Sequence, residues 1–234
     1  MTDDERRMIL ERYDRRLAEL GPTPEALGWT KNRHVLRYHM LLQPWQLKAE
    51  RLLDFGCGFG DMYAYCRENL PGVRYEGVDL NPSLVDVGRA RYPGISLRVV
   101  DALRDGLDGE WDVIVASGVF NLKLADNWAF IQQAFELFAR RARRGFAANF
   151  LSSRVDYELA DTFHADPARV LDLAYRFSNR VMLRNDYMPF EFTVYVDLRR
   201  EFDREHVVYP DYLEFVRTGD PSHRASAGEA DASA

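Results

Sequence analysis

The apolar residues of this chain alternate between helical spacing and short continuous runs. Helical spacing predicts helices over 4–20, 31–43, 82–91, 126–139 and 167–177, and a further helix that ends near residue 70. Continuous apolar runs predict strands over 51–55, 75–79, 95–100, 111–116 and 145–151. Strands that alternate with helices indicate a parallel sheet covered on both faces. We therefore expect an α/β fold.

The last third of the chain departs from this alternation. Two strand-like runs, 181–186 and 192–198, are separated by too few residues for a crossover helix, so they should pair as an antiparallel hairpin. From 218 onward apolar periodicity stops, which predicts a disordered tail over 218–234. We expect one domain over 1–217, made of a helical cap (1–49), a core (50–200) and a C-terminal extension (201–217).

Composition and charge exclude several classes of protein. The 234 residues carry a formal net charge of −6, which argues against a dedicated nucleic-acid-binding protein. No run of residues is apolar enough to span a membrane, and the acidic N-terminus lacks the features of a signal peptide. Cys57 and Cys66 form neither a zinc motif nor a disulfide framework. We expect a cytoplasmic protein with no nucleic-acid or membrane partner and no metal, and leave open whether it is a homodimer.

A glycine-rich loop after the first predicted strand is the sharpest local signal. Glycines at 56, 58 and 60 let the backbone turn tightly and let a ligand approach it closely. A dinucleotide-binding fingerprint would need a further glycine at 61, where this chain has Asp61. A carboxylate at Asp61 would repel a pyrophosphate, and the pattern Asp-x-Gly-x-Gly-x-Gly that begins at Asp54 suits a ligand with a cationic amino or sulfonium group instead.

These residues resemble the first motif of the class I S-adenosylmethionine-dependent methyltransferases, and further motifs follow in order. The resemblance covers about 50–200 and implies a Rossmann-like seven-stranded sheet of order 3-2-1-4-5-7-6 with strand 7 antiparallel. It implies S-adenosylmethionine as cofactor. The cofactor-binding residues would be Asp54, Gly56, Cys57, Gly58, Gly60, Asp79, Leu80, Asp101, Ala102, Ser117 and Gly118.

The resemblance also gives several of these residues a role. Asp79 would accept hydrogen bonds from both ribose hydroxyls, and Leu80 would pack on the adenine. Asp101 would accept from the adenine amino group, and the backbone N–H of Ala102 would serve a ring nitrogen. The stretch 111–118 would line the methionine portion. We interpret Cys57 as a small residue that fills space within the loop and not as a nucleophile.

Candidate catalytic and acceptor residues come from segments expected to cover the carboxyl ends of the strands. Trp29 and Arg37 could enclose the methionine end, with Arg37 pairing the cofactor carboxylate. The alternative for Arg37 is an ordinary surface arginine. Tyr13 could instead be a core-packing residue. The candidate catalytic residues are His39, Tyr13 and Asn121, and the candidate substrate residues are Asn149, Tyr157, His164, Tyr187 and Glu191. We interpret the arginine run 140–144 as a solvated helix end.

The expected activity is transfer of a methyl group from S-adenosylmethionine to an oxygen or nitrogen atom of a small metabolite. Several stretches are similar to small bacterial methyltransferases found among cell-surface sugar or secondary-metabolite pathways. The residues 117–120 lack the Pro-Pro motif of enzymes that methylate nucleobase nitrogens. Cyclisation or elimination from the same cofactor, and a non-catalytic binding scaffold, remain as alternatives. The three acids Asp54, Asp79 and Asp101 argue against the scaffold.

Overall fold

A seven-stranded sheet with helices on both faces forms the centre of the structure, a computed structural model that describes residues 1–29 and 33–219. The strands are β1 (Arg51–Phe55), β2 (Arg74–Asp79), β3 (Leu97–Val99), β4 (Trp111–Ala116), β5 (Ala142–Leu151), β6 (Arg180–Arg184) and β7 (Glu191–Asp197). The helices are α1 (Asp3–Leu20), α2 (Arg33–Leu42), α3 (Asp61–Asn69), α4 (Pro82–Arg91), α5 (Asn127–Arg141), α6 (Pro167–Tyr175) and α7 (Pro210–Gly219).

The strand order is β3-β2-β1-β4-β5-β7-β6, which confirms the predicted Rossmann-like topology. Strands β1 to β5 pair in parallel, and β7 runs antiparallel to both β5 and β6. Asp54 lies opposite Gly77 of β2 and Val115 of β4. The order of the strands reverses at β1, where ligands bind in open α/β sheets.

Hydrophobic cores lie on both faces of the sheet. Val113 and Val115 of β4 pack with α2 on one face, while Ile114 packs with the phenylalanines of α5 and β5 on the other. All three side chains are fully buried. A strand buried on both faces has no polar alternation, which is why this run is continuously apolar in sequence.

The predicted N-terminal cap divides into two parts. The apolar residues Tyr38, Leu41 and Leu42 of α2 belong to the core beneath the sheet, so this helix packs as part of the domain body. In contrast, α1 has no fully buried residue, and it is held by polar contacts and by the partly buried Tyr13 and Leu17, which pack against a small apolar cluster. Its N-terminus is closed by a capping box between Thr2 and Glu5.

Three elements differ from the sequence-based expectations. Strand β3 covers only Leu97–Val99, and β5 begins at Ala142, inside the arginine run that we assigned to a helix end. The run changes structure there because Ala142 pairs with Trp111 and because Arg144 binds the Glu50 carboxylate at 2.9 Å. Helix α7 was not predicted.

The contacts divide the chain into two compact units, Met1–Leu198 and Arg199–Ala234. The sequence had placed 201–217 in the same domain as the sheet, and the contacts group these residues apart from it. Of the predicted disordered tail, 218 and 219 end α7, and 220–234 lie outside the described residues. Within the part of the chain that is described, no helix has the length and apolarity required to cross a lipid bilayer.

Candidate functional site

A cleft opens at the carboxyl ends of β1, β2 and β4, with α1 along one side, and we call it the acidic cleft. Its lining includes three carboxylates, those of Asp54, Asp79 and Asp101, and no arginine or lysine among the described residues. Most of the predicted cofactor residues line it together: Trp29, Asp54, Gly56, Cys57, Gly58, Asp79, Leu80, Asp101, Ala102, Ser117 and Gly118. Gly60 lies outside the lining, as the N-cap of α3.

The glycine loop is held against the end of β2 by backbone hydrogen bonds. The N–H groups of Gly56 and Cys57 both donate to the carbonyl oxygen of Val78, at 2.8 and 3.0 Å. Gly56 has φ +73°, and a Cβ there would lie 2.5 Å from the Val119 side chain. Glycine is therefore needed both for the turn and for the close packing beside it.

The Asp79 carboxylate is fixed in place by backbone donors on both oxygens. Gly58 N–H donates to Oδ2 at 2.7 Å, and Asn81 N–H donates to Oδ1 at 2.8 Å. Burial raises the pKa of Asp79, and these N–H donors oppose that rise. Each oxygen keeps a second lone pair, so the carboxylate can still accept hydrogen bonds from a ligand.

Asp54 and Ser117 present buried polar atoms that have no partner among the described residues. Tyr75 donates its hydroxyl to Asp54 Oδ2 at 2.8 Å, whereas Asp54 Oδ1 and Ser117 Oγ make no hydrogen bond. Burial raises the pKa of Asp54 to about 7, and the nearby carboxylates of Asp79 and Asp61 add to the effect. Buried polar atoms usually have partners, so this pair is suited to a polar or cationic ligand group.

Helix α1 covers the far end of the acidic cleft. Arg6 Nε donates to the carboxylate of Asp101, and Ala125 N–H donates to Glu5 at 2.7 Å. Asp14 accepts a hydrogen bond from the Asn81 amide at 2.9 Å. The predicted adenine partner Asp101 is thus already engaged by a residue of the helix above it.

A second cleft adjoins the first, and we call it the arginine cleft. Four arginines line it, Arg12 and Arg16 from α1 and Arg33 and Arg37 from α2, together with the acid Asp161. Its apolar lining includes Trp29, Leu122, Leu151, Val155, Leu159 and Phe190. Among the predicted site residues, Tyr13, Asn121, Tyr157 and His164 lie here, as do Trp29, Arg37 and Gly118.

The two clefts meet at a shared wall. Five residues line both of them: Tyr13, Leu27, Trp29, Gly118 and Leu122. Gly118 has φ +73°, and a Cβ there would lie 2.2 Å from the Trp29 ring, so the indole rests directly on the backbone. Burial and the nearby Asp79 raise the pKa of Tyr13, which keeps its phenol neutral as a hydrogen-bond donor.

The structure corrects the roles expected for His39 and Arg37. His39 is exposed on α2, where its Nδ1 lies 3.0 Å from the Tyr65 hydroxyl, and it lines neither cleft. Arg37 forms a buried ion pair with Glu191, with Nε 2.8 Å from both carboxylate oxygens. Its charge is therefore satisfied within the protein, and neither Arg37 as a cofactor-carboxylate partner nor Glu191 as a substrate contact fits this geometry.

Three other candidates act as supports in the structure. Asn149 is buried and its Oδ1 accepts from Gly118 N–H at 2.7 Å, beneath the shared wall. Tyr187 bonds to the Thr193 hydroxyl at 2.8 Å and lines neither cleft. His164 lines the arginine cleft, but Nδ1 bonds to the Ser152 carbonyl at 2.8 Å and Nε2 to the Thr162 hydroxyl at 3.2 Å. Nδ1 therefore donates to Ser152, whereas the Thr162 hydroxyl beside Nε2 also lies within hydrogen-bond distance of the Leu159 carbonyl, at 3.1 Å.

Arg12, Arg16 and Arg33 line the arginine cleft, although the sequence motifs predicted no role for them. The signal was present, because Arg12 and Arg16 are four residues apart on α1, and so are Arg33 and Arg37 on α2. Residues at this spacing share one face of a helix. The hydrogen bond from Tyr75 to Asp54 joins residues of neighbouring strands, and no local sequence pattern predicts it.

Comparisons with known proteins agree with this geometry. A family model described as a methyltransferase domain matches residues 53–143. A Mycobacterium tuberculosis protein described as a methyltransferase is 34% identical over 151 residues, which cover 61% of this chain and 90% of that protein. A trans-aconitate 2-methyltransferase of Methylobacterium radiotolerans is 31% identical over 94 residues, 40% of this chain and 36% of that enzyme.

A solved structure extends the likeness to the fold. The crystal structure of magnesium protoporphyrin IX methyltransferase from Synechocystis, with S-adenosylhomocysteine bound, superposes with a TM-score of 0.57 at 14% identity. The superposition covers 71% of this chain and 83% of that one.

Proposed function

This chain belongs to the class I S-adenosylmethionine-dependent methyltransferases, and we propose that it methylates an oxygen or nitrogen atom of a small metabolite bound in the arginine cleft. One observation carries the proposal: a second cleft shares a wall with the acidic cleft at Tyr13, Trp29 and Gly118. Methyl transfer needs two adjoining sites of this kind, since the acceptor atom must be held in contact with the methyl group of the cofactor and in the right orientation.

The residues of the acidic cleft fit the chemistry of S-adenosylmethionine. The cofactor supplies a methyl group activated by a sulfonium charge, and transfer leaves the electron pair of the broken C–S bond on sulfur. Asp54 Oδ1 and Ser117 Oγ, buried without partners, would bind the amino-acid end. Asp79, held by two backbone donors, would accept from the ribose hydroxyls, and Leu80 and Ala102 would line the adenine end.

The described residues of the shared wall and of the arginine cleft offer orientation and not strong base catalysis. Tyr13 remains a neutral donor because burial and Asp79 raise its pKa. His164 contacts the Ser152 carbonyl through Nδ1 and the Thr162 hydroxyl through Nε2, so it supports the loop from Ser152 to Thr162. Asn121, whose Oδ1 accepts from Leu151 N–H at 3.3 Å, lines the arginine cleft and would orient the acceptor. An acceptor that arrives deprotonated or as a neutral amine needs no further base.

The named acceptor of one relative supports a small acceptor here. The Methylobacterium radiotolerans enzyme is named for trans-aconitate, a small molecule, although the match spans about a third of that enzyme. We propose a secondary-metabolite or sugar pathway, because several stretches of the sequence are similar to small bacterial methyltransferases of such pathways. We also place it in the cytoplasm, since Cys57 and Cys66 are free, buried thiols.

The experiment is a mass screen of a metabolite extract incubated with the full chain and S-adenosylmethionine. We expect one small molecule to gain 14 mass units while S-adenosylhomocysteine accumulates in equal amount. Release of methylthioadenosine without a methylated product would instead show cyclisation or elimination. Binding of S-adenosylmethionine with no turnover of any kind would support the scaffold and refute the proposal.

A further inference from the structure

The two adjoining clefts carry opposite charge. The acidic cleft has three carboxylates and no arginine or lysine in its described lining, which suits a cationic cofactor. The arginine cleft has four arginines against one carboxylate in its described lining, in a protein whose formal net charge is −6. A cationic patch that runs against the overall charge of the protein needs an explanation in terms of its ligand.

Two of the four arginines are neutralised by the protein itself. Arg12 Nη1 lies 2.8 Å from Asp161 Oδ2, and Arg37 forms the buried ion pair with Glu191. These two charges need no external partner. They shape the cleft and do not define its ligand.

The other two arginines keep an uncompensated charge. Arg16 donates to backbone carbonyls, from Nε to Ala26 at 2.9 Å and from Nη2 to Glu25, which leaves its full charge in place. Arg33 makes no hydrogen bond or ion pair with any residue in 1–29 or 33–219, and its charge acts on the Glu191 carboxylate that Arg37 already pairs, so the three groups together keep one net positive charge. Its guanidinium carbon lies 5.4 Å from the centre of the Phe190 ring, and the stacking holds the guanidinium at the lining of the cleft.

We propose that the acceptor bound in the arginine cleft carries an anionic group, a carboxylate or a phosphate, on an apolar or aromatic body, and that Arg33 is its main partner. This inference rests on the proposed function, since it names the class of molecule that the methyl group reaches. Arg16 adds to the positive field. Trp29, Phe190 and Val155 supply the apolar surface against which the body of the acceptor packs. An arginine fork can bind either anion through two parallel hydrogen bonds.

The test compares three probes that share one ring system. The full chain, saturated with S-adenosylhomocysteine, is titrated calorimetrically with 1-naphthoate, 1-naphthyl phosphate and the neutral 1-naphthamide. We expect at least one anion to bind about tenfold more tightly than the amide, as a charge-assisted hydrogen bond predicts. Whichever anion binds more tightly identifies the carboxylate or the phosphate as the natural group.

Variants assign the preference to Arg33. We expect Arg33→Gln to reduce the preference for the anion to less than about threefold, while amide binding changes little. Arg33→Lys should restore part of the preference because the charge returns without the planar fork. The matched control is Arg67→Gln, which removes one exposed arginine on α3 that lines neither cleft, and which should leave all three affinities unchanged.

Several outcomes would overturn the inference. They are equal affinity for amide and anions, no binding of any probe, and a preference that survives Arg33→Gln. Failure of the proposed function is a separate result. In that case the anions would still bind through Arg33, but the mass screen would find no methylated small molecule.

Discussion

Replacing Asp54 with asparagine should stabilise the ligand-free protein and weaken cofactor binding at the same time. Burial raises the pKa of Asp54 from an ordinary value of 3.8 to about 7. The native state therefore binds this proton more tightly than the unfolded state does. Stability from this group is fully present below pH 3.8 and is lost as the pH rises through 7.

The size of this change in the free energy of unfolding follows from the difference between the pKa of Asp54 in the unfolded and the native state. At pH 8 the ionised Asp54 carboxylate lowers the free energy of unfolding by up to about 4 kcal/mol relative to a neutral group. An asparagine side chain is not charged at any pH. The free energy of unfolding of the Asp54→Asn variant should therefore increase relative to that of the wild type as the pH rises from 4 to 8. The variant can keep the hydrogen bond from Tyr75, because the amide oxygen also accepts.

Cofactor binding should follow the opposite trend. An ammonium group beside Asp54 favours the carboxylate, so the affinity of the wild type for S-adenosylmethionine should rise with pH through 7. Asp54→Asn should make the affinity for S-adenosylmethionine nearly independent of pH and should weaken binding at pH 8. Thermal unfolding and calorimetric titration at pH 5, 6, 7 and 8 measure both effects, with the exposed Asp86→Asn as control. A wild-type stability that does not fall relative to the variant between pH 5 and pH 8 would refute the reasoning.

Three further predictions concern single contacts. Asp79→Asn should weaken S-adenosylmethionine binding by roughly tenfold or more in calorimetry, because a charged acceptor for the ribose hydroxyls is lost; unchanged affinity would remove the ribose role. Gly118→Ala should lower the free energy of unfolding by about 1–3 kcal/mol and slow methyl transfer, because its Cβ would meet the indole at 2.2 Å. Gly94→Ala is the matched control, with a similar positive φ and open space around it, and equal effects in both would contradict the steric argument. Arg37→Met should lower the free energy of unfolding by about 3–5 kcal/mol in chemical denaturation, because the Glu191 carboxylate is left buried without a partner. Adding Glu191→Leu should recover most of that loss. A mild effect of Arg37→Met alone would mean that the pair is not buried in solution.

The fold was largely predictable because its signals are local. The continuous apolar run of β4, the glycine loop after β1 and the short spacing between β6 and β7 each depend on a few neighbouring residues. Prediction failed where distant contacts decide the structure. The arginine run at 140–144 becomes a strand at Ala142 because Trp111, 31 residues earlier, pairs with it, and helix propensity carries no information about that partner.

The cofactor side of the site was more predictable than the acceptor side for the same reason. Asp54 and Asp79 lie at the carboxyl ends of β1 and β2, and Asp101 follows β3, so the sequence places all three at one edge of the sheet. The acceptor side is assembled from α1, α2 and two long loops, whose relative placement comes from tertiary packing. His39 and Arg37 show the consequence, since both lie on α2 but only one faces a cleft.

Helix α1 makes the two ligand sites mechanically dependent on each other. Arg6 contacts Asp101 at the acidic cleft, Arg12 contacts Asp161 at the arginine cleft, and Tyr13 lines both. A helix is rigid over these two turns, so it cannot swing away from one cleft and stay seated on the other. We therefore expect cofactor exchange and acceptor exchange to depend on the same helix, which is held both by the ion pairs of Arg6 and Arg12 and by the apolar packing of Tyr13 and Leu17. Salt should weaken only the ion pairs.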